Sequence, residues 1–468
     1  MPDRPFNDSG AAAAGPAWQT FAVACGAVFV VSLDATIMIA AFPALRSAFD
    51  GTTPSALSWV FNAYTIVYAA LLAPAGRLAD LYGRKRLFVL GLGLFTAASL
   101  VCAVAPTVDA LILARAVQAV GAALLTPSSL ALILAAFPTG KRAILTGLWG
   151  AVGALAAAIG PAGGAALIEA TSWRMIFAIN LPIGLALMGF AVARLRETRA
   201  AGTGAQLDLI GIVLIIAGVG LLTFALIQTE TAAASSIRVW GGAAGGMVCL
   251  ALYIRWAWGK PAAAIDLSLF GQRTYAFVTL ATFVFGVAFS ILFLGSYLFL
   301  ISVWGFSPAT AGLAITPGPL MVIPVAILAG RWAARSGHRV PLVTGGILLA
   351  ASQLVIWMVV SREPAYWTLW FPSQLIGGVA VGLVLPALAG AAVAHLSPDR
   401  FGVGGAVNNA VRQFGAVIGT ALAIVLVGEA TTGLDAFRHA FLTLAALSLM
   451  TAIVCLPVNT RPVSVGTR

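Results

Sequence analysis

Fourteen apolar stretches, each nearly free of charge, follow one another between residues 18 and 457. About 20 consecutive apolar residues in a helix cross the hydrocarbon core of a bilayer. A backbone in lipid has no water to bond, so stretches of this kind must be helices that satisfy their own N–H and C=O groups. A water-soluble core has no use for so much apolar surface. Hydrophobic residues make up 61% of the chain and charged residues 9%, against about 45–50% and 25% in soluble domains. The spans read as 18–43, 56–75, 86–105, 109–134, 143–168, 174–193, 208–228, 239–258, 274–300, 309–330, 340–360, 367–390, 403–427 and 438–457. The fold class is therefore an all-α integral membrane protein. Residues 1–17, rich in Ala, Gly and Pro, are expected to be disordered. Span one is too long for a cleavable signal and carries an aspartate.

Charge placement orients the spans. With the N-terminus in the cytoplasm, nineteen Lys and Arg fall in inside segments and five in outside ones, and Arg115 and Arg412 lie within spans. That bias is the positive-inside pattern. It accounts for the net charge of +11 as a topology signal and excludes nucleic acid as a partner. It also places both termini inside. The four cysteines lie in apolar runs without metal or disulfide spacing, so no metal or other cofactor is expected. The three histidines, His338, His395 and His439, read as isolated residues near span ends, and no catalytic constellation is visible. An enzyme is therefore not expected. A non-transporting receptor would need an extramembrane region to signal with, and none is evident.

The chain repeats itself. Gly76-Arg77-Leu78-Ala79-Asp80-Leu81-Tyr82-Gly83-Arg84 follows span two, and Gly330-Arg331-Trp332-Ala333-Ala334-Arg335-Ser336-Gly337 follows span ten, at an offset of 254. Gln118 and Gly121 of span four return as Gln374 and Gly377, and Ile159-Gly160 of span five as Ile418-Gly419. A six-helix unit used twice in one orientation is a known transporter plan. The expected domains are an N-terminal bundle at 18–200, two inserted spans at 201–262, a C-terminal bundle at 263–460 and a cytoplasmic tail at 461–468.

The turn from Gly76 to Arg86 resembles the signature loop of the major facilitator superfamily. Leu33-Asp34-Ala35-Thr36-Ile37, Arg115-Ala116-Val117-Gln118 and the glycine-rich run from Gly147 to Gly164 resemble motifs of its fourteen-span drug:proton antiporters (EmrB/QacA type), each on the matching span. The resemblance implies a major facilitator fold of two six-helix bundles plus two extra helices. It also implies export of amphiphilic drugs in exchange for protons by alternating access. The alternative is a dedicated exporter of one endogenous metabolite, antibiotic or lipid. The expected setting is a bacterial plasma membrane, with lipids, protons and a small amphiphilic substrate as partners and the chain monomeric.

Candidate residues follow. Asp34 is the acid that lies well inside a span, where a charge costs about 2.5–3.5 kcal/mol on insertion scales and is functional by default. Arg115, at a similar depth in span four, is its expected partner; the resemblance gives the pair the proton-coupling role. Asn62, Gln118, Trp149, Phe293, Asn408, Asn409, Arg412 and Gln413 are the polar and aromatic candidates for a substrate cavity, with Phe283, Phe289 and Tyr297 as further aromatic candidates. Gly76, Arg77, Asp80, Gly83 and Arg84 in the loop, with Gly153, Gly160 and Pro161 in span five, are candidates for conformational control. The small residues let helices approach closely, and the proline permits a kink. Ala334 stands where the first repeat has Asp80, so the lock that the resemblance implies for Asp80 is one-sided.

Overall fold

A computed structural model describes residues 9–138, 142–198, 208–229, 236–260, 263–396, 401–427 and 433–460. The expected tail 461–468 lies outside them, as does the side chain of Asp80. The fourteen expected spans all appear as helices long and apolar enough to cross a membrane. In the first half these are Gly15–Ala48, Ala56–Ala79, Arg84–Ala103, Val108–Ala136, Leu148–Ala170 and Met175–Arg194. The inserted pair is Leu209–Gln228 and Ile237–Ala257. The second half holds Arg273–Ser302, Pro308–Ser336, Arg339–Val359, Tyr366–Val393, Val403–Val427 and Leu434–Val454. The first helix starts at Ser9, so residues 9–17, expected to be disordered, are helical.

The repeat is physical. Gly83 closes the helix of span two with φ +113° and its N–H on the Ala79 carbonyl. Gly337 closes that of span ten with φ +79° and its N–H on Ala333. Only glycine adopts such positive φ without a Cβ clash, which is why the same residue recurs 254 positions later. Helix packing repeats too. Span one lies on span five as nine lies on thirteen, two on four as ten on twelve, and three on four as eleven on twelve. The halves meet through two with thirteen and five with ten, contacts that exchange under the repeat.

The inserted helices pair with each other, and span seven packs on both span two and span thirteen. It therefore lies across the seam between the halves, and span eight is the more peripheral of the two. Asp208 ties this insert down: it caps span seven at Gly211 N (2.9 Å) and accepts from Trp256 Nε1 (2.8 Å) and Ala264 N (3.0 Å). Burial works against its charge, but these N–H bonds and nearby Lys260 outweigh it and hold the carboxyl below its ordinary range.

Glu197, after span six, accepts from the backbone N–H of Lys85 and Arg86 at 3.1 Å each and so caps span three. Two of the histidines read as isolated are neighbours. His338 Nδ1 meets Thr460 Oγ1 (2.9 Å), and His395 Nε2 meets the Asn459 carbonyl (2.6 Å). Burial, with His395 beside it, holds His338 below its ordinary range.

Candidate transport site

Asp34 and Arg115 are each about 1% exposed and meet at 2.5 Å, Arg115 Nη1 to Asp34 Oδ2. An isolated buried carboxylate is untenable, so its other lone pairs need donors. Gln118 Nε2 and Asn180 Nδ2 each donate to Oδ1 at 2.9 Å. Arg115 also donates to Gln118 Oε1 (2.7 Å) and the Val60 carbonyl (3.3 Å). Its guanidinium lies 4.0 Å from the Tyr64 ring centroid, a cation–π contact. Ser99 completes the shell as acceptor from Gln118 (2.8 Å). Helices one, two, three, four and six thus converge on one charge pair.

Gln118, expected as a substrate-cavity residue, is fully buried in this cluster. Asn180 was missed by sequence reasoning. The signal was present, since it is the single polar side chain between Met175 and Ala193.

Span five flanks Asp34 through its glycines. A Cβ at Gly153 would stand 3.3 Å from Ser32 Oγ; one at Gly160 would overlap Thr36, and one at Gly164 would overlap Ile37. A Cβ at Gly150 would meet nothing, so that glycine takes no part in the tight seam. At Pro161 and Ala162 the same helix presses on the other half: a Cβ at Gly312 would lie 2.7 Å from Ala162 Cα and 2.8 Å from the Pro161 carbonyl oxygen. Close by, Glu169 Oε1 accepts from Ala309 N (3.0 Å) and caps the start of span ten. These contacts close the two halves together on the face away from the N-terminus.

A separate cavity lies in the second half, lined by spans nine to twelve and touched by Ala157 of span five. It holds about 700 Å³ of empty space, its mouth included. Phe293 lines it, with Phe289, Ser296, Gln353, Ser373 and Gln374. A π-helical turn at Ile291–Gly295, of a kind frequent at functional sites, sits in this wall. Tyr297 is buried, its hydroxyl on the Pro308 carbonyl, and Phe283 packs between clusters.

The remaining polar candidates sit elsewhere. Trp149 donates to Ser129 Oγ (3.0 Å), Asn408 accepts from Thr282 (2.9 Å), and Arg412 donates to Asn409 (2.8 Å). Asn62 is buried with neither amide atom partnered, and Gln413 is half-buried on span thirteen. Asn408 and Asn409 therefore serve different neighbours. Gly76 approaches Pro127 (3.5 Å for an added Cβ), and Arg84 Nη1 reaches the Ala131 carbonyl (3.4 Å). The loop that holds Gly76, Arg77 and Arg84 thus leans on span four.

Residues 24–208 and 278–468 match the Major Facilitator Superfamily. The chain belongs to that superfamily. Its members are membrane transporters and not enzymes. The chain is 34% identical over 450 residues to the probable actinorhodin transporter of Streptomyces coelicolor, covering 92% of this chain and 78% of that one. It is 33% identical to the multidrug resistance protein Stp of Mycobacterium tuberculosis (84% and 73% covered) and 31% identical to the methylenomycin A resistance protein of Streptomyces coelicolor (86% and 84%). Among solved structures it resembles the human organic anion transporter MFSD10 (TM-score 0.64, 15% identity, 94% and 99% covered). The partially occluded, inward-open xylose transporter XylE of E. coli is similarly alike (0.65, 12%, 93% and 98%). At such identities these two show the fold.

Proposed function

We propose that this protein exports amphiphilic drugs or antibiotics across a bacterial plasma membrane in exchange for protons, by alternating access, with both termini cytoplasmic. The observation that carries the reading is the Asp34–Arg115 pair, sealed in the first half beside an uncharged cavity in the second. Proton and substrate then have separate seats. The names of the relatives support the substrate class.

The packing offers a mechanical route between the seats. A proton on Asp34 cancels its attraction for Arg115 and frees the amides of Gln118 and Asn180 to turn. Thr36 and Ile37, just beyond Asp34, carry the span-five seam at Gly160 and Gly164. The next residues of span five, Pro161 and Ala162, bear on Gly312. Movement of span one therefore reaches the contact that closes the outer face. The loop from Gly76 to Arg84, with Asp80, serves as the opposite lock, and Glu197 clamps its base.

The test uses purified protein in lipid vesicles under an imposed pH gradient, reading dye efflux and luminal pH together. Wild type should move protons and dye in opposite directions, and Asp34→Asn should lose both gradient-driven fluxes. Proton movement at the wild-type rate by Asp34→Asn would refute the assignment. A cysteine at position 235 should react with an impermeant reagent only from outside.

A further inference from the structure

The two halves repeat their helices but not their charges. At the offset of 259 that carries Ile159-Gly160 of span five onto Ile418-Gly419 of span thirteen, Gly150 and Gly153 become Asn409 and Arg412. At offsets of 254–259, Asp34 falls on 288–293, where no acid occurs. The first half therefore holds an acid and an arginine, and the second holds an arginine alone. Of the fifteen acids, Asp34 alone lies well inside a span, and Arg115 already pairs with it. Tyr68 of span two neighbours Arg412 and stacks on Tyr64, which faces Arg115. Two rings thus stand between this second cation and the proton pair.

Arg412 lies nine residues in from Val403, about 13 Å of helix rise, which is further than its side chain can snorkel. No residue from 403 to 427 is exposed, and spans two, seven, nine, twelve and fourteen all pack on this helix. The surface that half-buried Arg412 keeps therefore opens into the bundle. Among the described residues its one hydrogen bond runs from Nη2 to Asn409 Oδ1 (2.8 Å). Its Nε and Nη1 have no partner there and are not sealed from access, and the same holds for Asn409 Nδ2. An intramembrane cation without a counter-charge calls for a partner, and the chain supplies none. On span nine a Cβ at Gly286 would overlap the Arg412 carbonyl, one helical turn before Phe289 of the cavity wall.

We propose that Arg412, with Asn409 beside it, binds the anionic group of the substrate, a carboxylate or an acid group of like size. This transporter then favours amphiphilic organic anions. Asn409 Oδ1 fixes one edge of the guanidinium and leaves Nε and Nη1 to make charge-assisted hydrogen bonds, with Asn409 Nδ2 as a further donor. The second-half cavity has no charged side chain in its wall, so Arg412 supplies the charge recognition that the cavity lacks. The proposal rests on the exporter reading for the direction of transport; anion binding stands separately.

The experiment is equilibrium binding to the full chain in lipid nanodiscs at pH 7.5 in sodium gluconate, with empty nanodiscs subtracted. The probes are 2-anthracenecarboxylate, its neutral carboxamide, and 2-(aminomethyl)anthracene as the cation. Wild type should favour the carboxylate over the carboxamide by about tenfold and bind the ammonium weakest. Arg412→Gln should bring that ratio to about one while binding the carboxamide as well as wild type does. Arg412→Lys, which keeps the charge, should keep part of the preference. Without ligand, Arg412→Gln should melt no lower than wild type, since it removes a charge that the chain does not answer. The carboxylate should raise the wild-type midpoint and leave that of Arg412→Gln in place. A carboxylate preference that survives Arg412→Gln, tighter binding of the ammonium, or no preference in wild type overturns the proposal. So does a preference lost when chloride replaces gluconate, which would make inorganic chloride the occupant. A lower ligand-free midpoint in Arg412→Gln would mark a structural arginine and overturn it too. Anion-selective binding without gradient-driven flux would sink the exporter reading and leave this site standing. Proton-driven efflux of the ammonium without anion preference would do the reverse.

Discussion

Gly312→Ala isolates the contact that closes the two halves on the face away from the N-terminus. The added Cβ would stand 2.7 Å from Ala162 Cα, 2.8 Å from Ala162 N and 2.8 Å from the Pro161 carbonyl oxygen. Carbon atoms in contact settle at about 3.5–4.0 Å, so spans five and ten must part by nearly an ångström. All three neighbours are backbone atoms, and no side-chain rotation relieves them. Overpacking of this kind costs roughly 1–3 kcal/mol. The cost falls on the state in which these helices touch, so the balance should move toward the state open on that face. A cost of about 2 kcal/mol moves it about thirtyfold. The assay is a spin-label distance distribution between positions 172 and 310, in a background without native cysteines, reading the long-distance population. Gly330→Ala is the control, because a Cβ there meets nothing within 4 Å on the same helix. Turnover should fall in Gly312→Ala and hold in Gly330→Ala. Equal distance populations in the two variants would refute the steric argument.

Asp34→Asn leaves Arg115 buried without its counter-ion, which in comparable sites costs about 3–5 kcal/mol. Arg115→Gln in the same chain should recover part of that loss, and a denaturation cycle showing additive losses would contradict the pairing. Gly83→Ala forces a Cβ into positive φ and to within 2.6 Å of the Glu197 carboxyl. Thermal denaturation should register about 2 kcal/mol lost, and a wild-type midpoint would count against the clamp. His338 titrates lower in the folded protein than its usual value of about 6.5. The unfolded chain therefore binds the extra proton first as pH falls below 6.5. Stability from this group is full above that pH and declines through the folded value. His338→Gln should flatten the acid limb of a melting-temperature profile, and an unchanged slope would argue against it.

The count of helices was legible in the residues because hydropathy is local: a stretch crosses the bilayer or does not, whatever its neighbours. The repeat was legible for a similar reason, since the positive φ at Gly83 and Gly337 is a demand on one residue at a time. Asp34 stood out because an acid deep in an apolar run is costly wherever the run packs. Companions are another matter. Asn180 lies 146 residues from Asp34 and reaches it because of how helix six is rotated and at what depth it packs, which no local pattern encodes. The same physics set Gln118 in the charge cluster and brought His338 beside His395. It also opened a cavity between spans nine to twelve. Sequence determined which segments enter the membrane and which residues are expensive there. Tertiary packing decided which of them meet, because neighbours at one depth are chosen by helix rotation and tilt, and these are set by the whole bundle.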